Sequence, residues 1–127
     1  MVVKNGTPYD DNNIFAKILR DELPAKKVFE NEYALAFHDI NPQAPIHVLV
    51  IPKGRYVSLA DFTVDAPDDL QSGFWRAVGE TARQLGLEKD GYRILANSGT
   101  DAHQEVPHLH IHIFAGRPLG AMLVPGQ

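Results

Sequence analysis

Three of the six histidines in this chain alternate with aliphatic residues in Pro107-His108-Leu109-His110-Ile111-His112-Ile113-Phe114. A β-strand has a side-chain period of 2, so His108, His110 and His112 are expected on one face and Leu109, Ile111 and Ile113 on the other. Histidine is the side chain whose unperturbed pKa, ~6.5, lets it give or take a proton near neutrality. A row of three around one reacting group supplies a nucleophile, the central His110, flanked by groups that orient it and move protons. A polar strand face that merely carries histidine is the bland alternative, and metal ligation is the chemical one. On a straight strand His108 and His112 stand ~13 Å apart at Cα. Zinc needs each nitrogen within ~2.1 Å, so neighbours could share an ion but all three only on a sharply bent strand. With no cysteine, no His-Glu-x-x-His pattern and no carboxylate cluster seen beside the triplet, neither metal nor cofactor is expected.

Other residues could join this face. In the strand after Pro45, His47 shares a side with Leu49 and Ile51. His47 then either meets the triplet across a neighbouring strand or bonds a local carbonyl at the strand start. In Ala34–Asp39, Leu35, Phe37 and Asp39 point one way. An aromatic ring beside a carboxylate suits a nucleoside, the ring on the base and the carboxylate on the ribose hydroxyls. Equally, Phe37 could be core and Asp39 the start of the Asn41-Pro42 turn. Asn97, Ser98, Gly99, Thr100 and Gln104 form a loop of small polar groups that could hold phosphate oxygens or make an ordinary turn. Gln104, on the approach to the histidines, is a candidate for a non-bridging or leaving-group atom.

The elements that must position these groups are readable from pattern. Asn12 or Asn13 caps a short helix over Ile14–Arg20 that buries Phe15, Ile18 and Leu19. Short strands are expected over Lys27–Asn31 and Ala34–Asp39, a rigid turn at Asn41–Pro45, and strands over His47–Pro52 and Tyr92–Asn97. The longest helix spans Pro67–Leu85 with Leu70, Phe74, Val78, Thr81 and Leu85 as its stripe. Strands close in sequence favour an antiparallel α+β meander.

Composition sets the outer limits. A chain of 127 residues is read as one domain, 1–127, with a loose polar lead-in over 1–11 and a tail over 118–127. A net charge of −4 argues against a general nucleic-acid binder. No apolar run approaches the ~18 residues of a membrane span, and the polar start lacks a signal core. The lack of cysteine fits a reducing compartment, and a cytoplasmic location is the expectation.

Taken together, these residues resemble the histidine triad (HIT) superfamily, whose motif is His-x-His-x-His followed by apolar residues. The similarity extends to Ile14–Leu19, Leu23–Lys26, Ala36–Pro45, His47–Lys53, Gly91–Arg93 with Asn97, and Gln104–Val106, in order across about residues 12–117. That set resembles the Hint branch, the histidine triad nucleotide-binding proteins. The dinucleoside polyphosphate hydrolase branch shares the triad but not the Phe-His-Asp-Ile-x-Pro-Gln-Ala-Pro segment.

The resemblance implies an antiparallel sheet of about five strands with one long and one short helix, pairing into a homodimer. It implies a purine nucleoside monophosphate site and hydrolysis of nucleoside phosphoramidates without metal. His110 would attack the α-phosphorus and carry the nucleotide covalently, and His112 would contact the phosphate or leaving group. His108 and His47 would orient the relay, and Asp39 would take the ribose hydroxyls. Phe15, Ile18, Phe37, Ile40 and Leu49 would line the base pocket, with Asn97, Gln104 and Glu105 at the phosphate. His103 stands where many members have glycine, placing an ionisable group at the mouth. Glu105 stands where many have serine and would favour cationic leaving groups. Trp75, Gly79 and Ala82 beside the helix stripe either meet a partner subunit or let Trp75 cap its own core; the resemblance favours the partner. The uncharged tail is expected to dock near the partner's pocket. The alternatives are a nucleotide-binding interaction module and dinucleoside polyphosphate hydrolysis.

Overall fold

The computed structural model describes residues 2–123. Eight elements follow in order: α1 (Ile14–Leu19), β1 (Lys27–Glu30), β2 (Ala34–His38), β3 (Ile46–Pro52), α2 (Leu59–Asp65), α3 (Asp68–Gln84), β4 (Arg93–Leu95) and β5 (Ile111–Ala115). The strands form one antiparallel sheet in the order β1-β2-β3-β5-β4. The last strand in the sequence is thus inserted between β3 and β4, which carries the histidine segment into the sheet between them.

Side-chain alternation divides the sheet into two faces with different jobs. Ala34, Ala36, Val48, Val50, Ile111, Ile113 and Ala115 point to one side, where they pack against Phe62 of α2 and Phe74, Ala77, Val78 and Ala82 of α3. Leu35, Phe37, Leu49 and Ile51 point to the other, where Phe15 of α1 covers them. In the register Phe37 pairs with Leu49 and Leu49 with His112, so the second face presents an imidazole beside an apolar floor. Had β5 slipped by one residue, the histidines would be driven into the aliphatic core. Leu109, which precedes β5, is equally buried in that core and fixes the phase of the alternation.

Three local features differ from expectation. A second short helix, α2, is present. Ser58 caps it and Asp61 completes a reciprocal capping box, which satisfies donors that a seven-residue helix cannot bond internally. On α3, Ala82 belongs to the protein's own core and not to an outward face, whereas Trp75 is exposed. The lead-in is not loose. Val3 N–H bonds the Gln104 carbonyl at 2.6 Å, and Asp11 forms a two-point ion pair with Arg55. The short first helix is as expected: Asn13 caps it by accepting from Ala16 N–H at 2.9 Å.

Trp75, Tyr92, Ile94 and Leu95 leave exposed apolar surface on α3 and around the edge strand β4. The tail expectation falls partly on 124–127, outside the described residues; Gly120, just before that stretch, accepts from the Arg93 guanidinium at 2.8 Å. Among the described residues no helix is long and apolar enough to cross a membrane.

Candidate active site

A cavity of about 410 Å³ opens on the second face of the sheet, a size suited to a small ligand. Its floor is Phe37 and Leu49 from the sheet, with Phe15 and Ile18 from α1 as a wall. His110 and His112 stand at one end, and Asn97, His103 and Glu105 border the mouth. Asp39 and Ile40 line the side formed by the turn after β2, where Ile40 is 91% exposed. The structure therefore brings together the aromatic, aliphatic, carboxylate and imidazole groups singled out from sequence. Ile14, Pro24, Ala25 and Val106 also line it, as do His38, Asn41, Gln43 and Ala102. Some fall in recognisable segments, such as Leu23–Lys26, but nothing local marks them as lining residues.

The imidazoles have defined protonation. Carbonyl oxygens only accept, so a ring nitrogen bonded to one must carry the hydrogen. His110 Nδ1–H donates to the His108 carbonyl at 2.7 Å, which leaves the His110 Nε2 lone pair free. His108 Nε2–H donates to the Pro52 carbonyl at 3.1 Å, so its Nδ1 accepts from the Tyr9 hydroxyl at 2.5 Å. Gln43 backbone N–H donates to His47 Nδ1 at 3.1 Å, so His47 Nε2–H donates to His112 Nδ1 at 2.9 Å. The hydrogen of His112 is then on Nε2.

Burial keeps these rings neutral. Desolvation pushes His108 down to about 4. It does the same for His112, also to about 4, helped by the neighbouring His110 and His47. Desolvation likewise lowers His110 and His47, with Asp39 opposing it in both cases. At neutral pH the centre thus holds an unprotonated nucleophilic nitrogen and a neutral N–H donor. Aromatic rings fix the ring planes: Phe15 meets His110 edge-on at 5.0 Å, and Phe114 stacks on His112 at 5.5 Å.

Several expectations need correction. His108 does not share the cavity with the other two. It lies before β5, wholly buried, and its backbone carbonyl rather than its ring faces His110. Gln104 is 1% exposed and fully committed: its amide donates to the Val57 and Val106 carbonyls, and its oxygen accepts from Gly99 N–H. It braces the loop, and both polar atoms of its amide have protein partners. Ser98 and Gly99 face Asn5 of the lead-in, and of the small polar candidates Asn97, Ser98, Gly99, Thr100 and Gln104, Asn97 lines the cavity. Asp39 fulfils both readings at once. Its Oδ1 accepts from Asn41 N–H at 2.8 Å in the turn, while Oδ2 lies 3.4 Å from His47 Nε2 beside the cavity.

One carboxylate, that of Asp39, stands beside the histidines. Asp39, His47 and His112 each offer a ligand atom, all within 4.8 Å of one another. The Asp39–His47 adjacency arises because the chain reverses between β2 and β3, with Asp39 N–H bonding the His47 carbonyl at 3.0 Å. In this arrangement the His47 Nε2–H is donated to His112, and Asp39 Oδ2 stands 3.4 Å from the same nitrogen. His103 takes a positive φ of 57°, the left-handed region that favours glycine, and its ring pairs with Glu105 at 3.1 Å.

Comparison with known proteins matches this geometry. A sequence model of the HIT domain matches residues 20–119. A HIT-like protein of Azospirillum brasilense is 64% identical over 118 residues, covering 93% of this chain and 97% of the relative. The purine nucleoside phosphoramidase of Escherichia coli K12 is 38% identical over 113 residues, covering 89% and 94%. A solved HIT family hydrolase from Clostridium thermocellum superposes with a TM-score of 0.82 at 35% identity, covering 91% and 99%. These relatives support a hydrolase in general terms. The chain belongs to the HIT domain family.

Proposed function

We propose that this protein is a purine nucleoside phosphoramidase of the Hint type, cleaving the P–N bond of adenosine or guanosine 5′-phosphoramidates. The observation that carries the reading is His110: its Nδ1–H is tied to the His108 carbonyl, and its unprotonated Nε2 belongs to a ring that lines the cavity. Binding would set the purine against Phe37, Leu49, Phe15 and Ile18, with Ile40 closing over it and Asp39 taking ribose hydroxyls. His110 Nε2 forms a bond to the α-phosphorus while the P–N bond to the amine breaks. His112 Nε2–H donates to the phosphoryl group as charge develops, and His47 holds His112 in that tautomer. The departing nitrogen takes up one proton. Water then attacks the phosphorus, releases one proton and the nucleoside monophosphate, and restores His110. No metal is required by these steps.

The E. coli relative's name supports this substrate class. Glu105 at the mouth adds a preference for cationic amines. We also propose that two copies associate through the exposed apolar surface of Trp75, Tyr92, Ile94 and Leu95. The reading predicts that an adenosine 5′-phosphoramidate is turned over far faster than a dinucleoside polyphosphate, in side-by-side assays. Equal rates, or the reverse order, would overturn the assignment.

A further inference from the structure

We propose that Tyr9 is a positioning residue for the reaction assigned above, on which this inference rests: its hydroxyl pins the His108 ring at Nδ1, opposite the Pro52 carbonyl, and through the His108 carbonyl it aims His110. Tyr9 lies before the segment matched by the family model, 20–119, and 99 residues from His108. The juxtaposition is a product of the fold and not of the triad motif.

His108 acts on His110 through its main chain. The His108 carbonyl accepts the only hydrogen of the His110 ring, and that bond decides which nitrogen faces the phosphorus. The place of this carbonyl depends on a ring held at two points, Nε2–H on the Pro52 carbonyl and Nδ1 under the Tyr9 hydroxyl. With the hydrogen on Nδ1 instead, a lone pair would face the Pro52 carbonyl lone pairs, and one buried bond would become a repulsion. The Pro52 carbonyl, which can only accept, excludes that state, and the Tyr9 hydroxyl then closes the second point of the ring by donating to Nδ1. Burial raises the Tyr9 phenol above its ordinary value, so the hydroxyl remains a donor throughout the working range.

Tyr9 is itself held. The Arg55 guanidinium sits 5.3 Å from its ring centre and is fixed by Asp11. Upstream, Asn5 accepts from the Ser58 and Ser98 hydroxyls at 3.2 Å. The anchor at Asn5 and the bond at Tyr9 are separable, which makes the proposal testable against a purely structural role for the lead-in.

The test compares Tyr9→Phe, which removes only the oxygen, with Asn5→Ala, which loosens the same segment without touching His108. Steady-state kinetics with an adenosine 5′-phosphoramidate are read beside AMP affinity and the histidine ring-nitrogen NMR signals. Tyr9→Phe should lower kcat about ten-fold or more by misaiming His110, with AMP affinity within about two-fold. The His108 Nδ1 signal should move to that of a lone pair with no donor, with Nε2 still protonated. Asn5→Ala should retain the parental kcat and His108 signals. Equal kcat losses in the two variants, or an unmoved His108 spectrum in Tyr9→Phe, would overturn the proposal. The spectrum decides this even if the parent hydrolyses no phosphoramidate. If Tyr9→Phe fails to fold, the parent spectrum still decides: His108 protonated at Nδ1, or an Nδ1 lone pair with no hydrogen bond, would refute the proposal, and a hydrogen-bonded, unprotonated Nδ1 with His110 protonated at Nδ1 would support it.

Discussion

The neutral buried histidines should make the fold acid-sensitive well above the range in which carboxylates titrate. His108 is wholly buried and pushed down to about 4 by desolvation, whereas an unfolded chain leaves it at its ordinary ~6.5. A histidine with a depressed folded pKa contributes fully above the unfolded value. That contribution is lost as pH falls from the unfolded toward the folded value, because the unfolded chain binds the proton first. At pH 5 the unfolded group is almost fully protonated and the folded one only slightly, so His108 alone costs roughly 2 kcal/mol relative to pH 7.5. His112, His110 and His47 shift in the same direction and add to it. The ion-paired carboxylates Asp11, Glu22 and Glu30 are held below their ordinary values, so their loss begins only as pH falls further. Urea unfolding at pH 7.5 and pH 5 should show a drop of about 2 kcal/mol or more at unchanged slope. NMR titration should find the His108 ring unprotonated above pH 5. Equal stability at the two pH values, or His108 titrating near 6.5, would refute the reasoning.

Two further outcomes test the site. Ribonucleotides should bind about five-fold more tightly than 2′-deoxynucleotides, an effect of about 1 kcal/mol because Asn41 already occupies Asp39 Oδ1. Asp39→Ala should erase the gap in calorimetric titration, and equal binding by the parent would rule the role out. Gln104→Ala should destabilise the fold by about 2–4 kcal/mol, since two buried partners and one part-buried partner lose their bonds. The same variant, once folded, should bind AMP nearly as the parent does; lost affinity at full stability would restore a direct contact.

What could be read in advance follows from range. The alternation of histidine and aliphatic residues has a period of 2 and survives in space: Ile111 and Ile113 go to the core and His112 to the cavity. The Ser58-to-Asp61 spacing is a local helix-start signal, and α2 was open to the same reasoning that found the Asn13 cap. Gln104 looked like a ligand group because a side-chain amide beside a triad invites that reading; its partners Val57 and Gly99 are visible only once the loop is folded. The Asp39–His47–His112 cluster and the Tyr9–His108 bond depend on strand order, with β5 beside β3 and the lead-in behind it. Periodicity in one segment carries no information about such neighbours. The face of α3 was misjudged at Ala82 because a small residue fits either a core or an interface, and only packing against the sheet decides.

The central claim is that His110 Nε2 carries the nucleotide. Enzyme mixed with an adenosine 5′-phosphoramidate, quenched within the first turnovers and digested, should yield by mass spectrometry one peptide heavier by an adenylyl group, with the modification on His110. The His110→Ala protein should bind AMP nearly normally, form no adduct and lose turnover by several orders of magnitude. An adduct on His112 or His108, or His110→Ala turnover within a few-fold of the parent, would contradict the account.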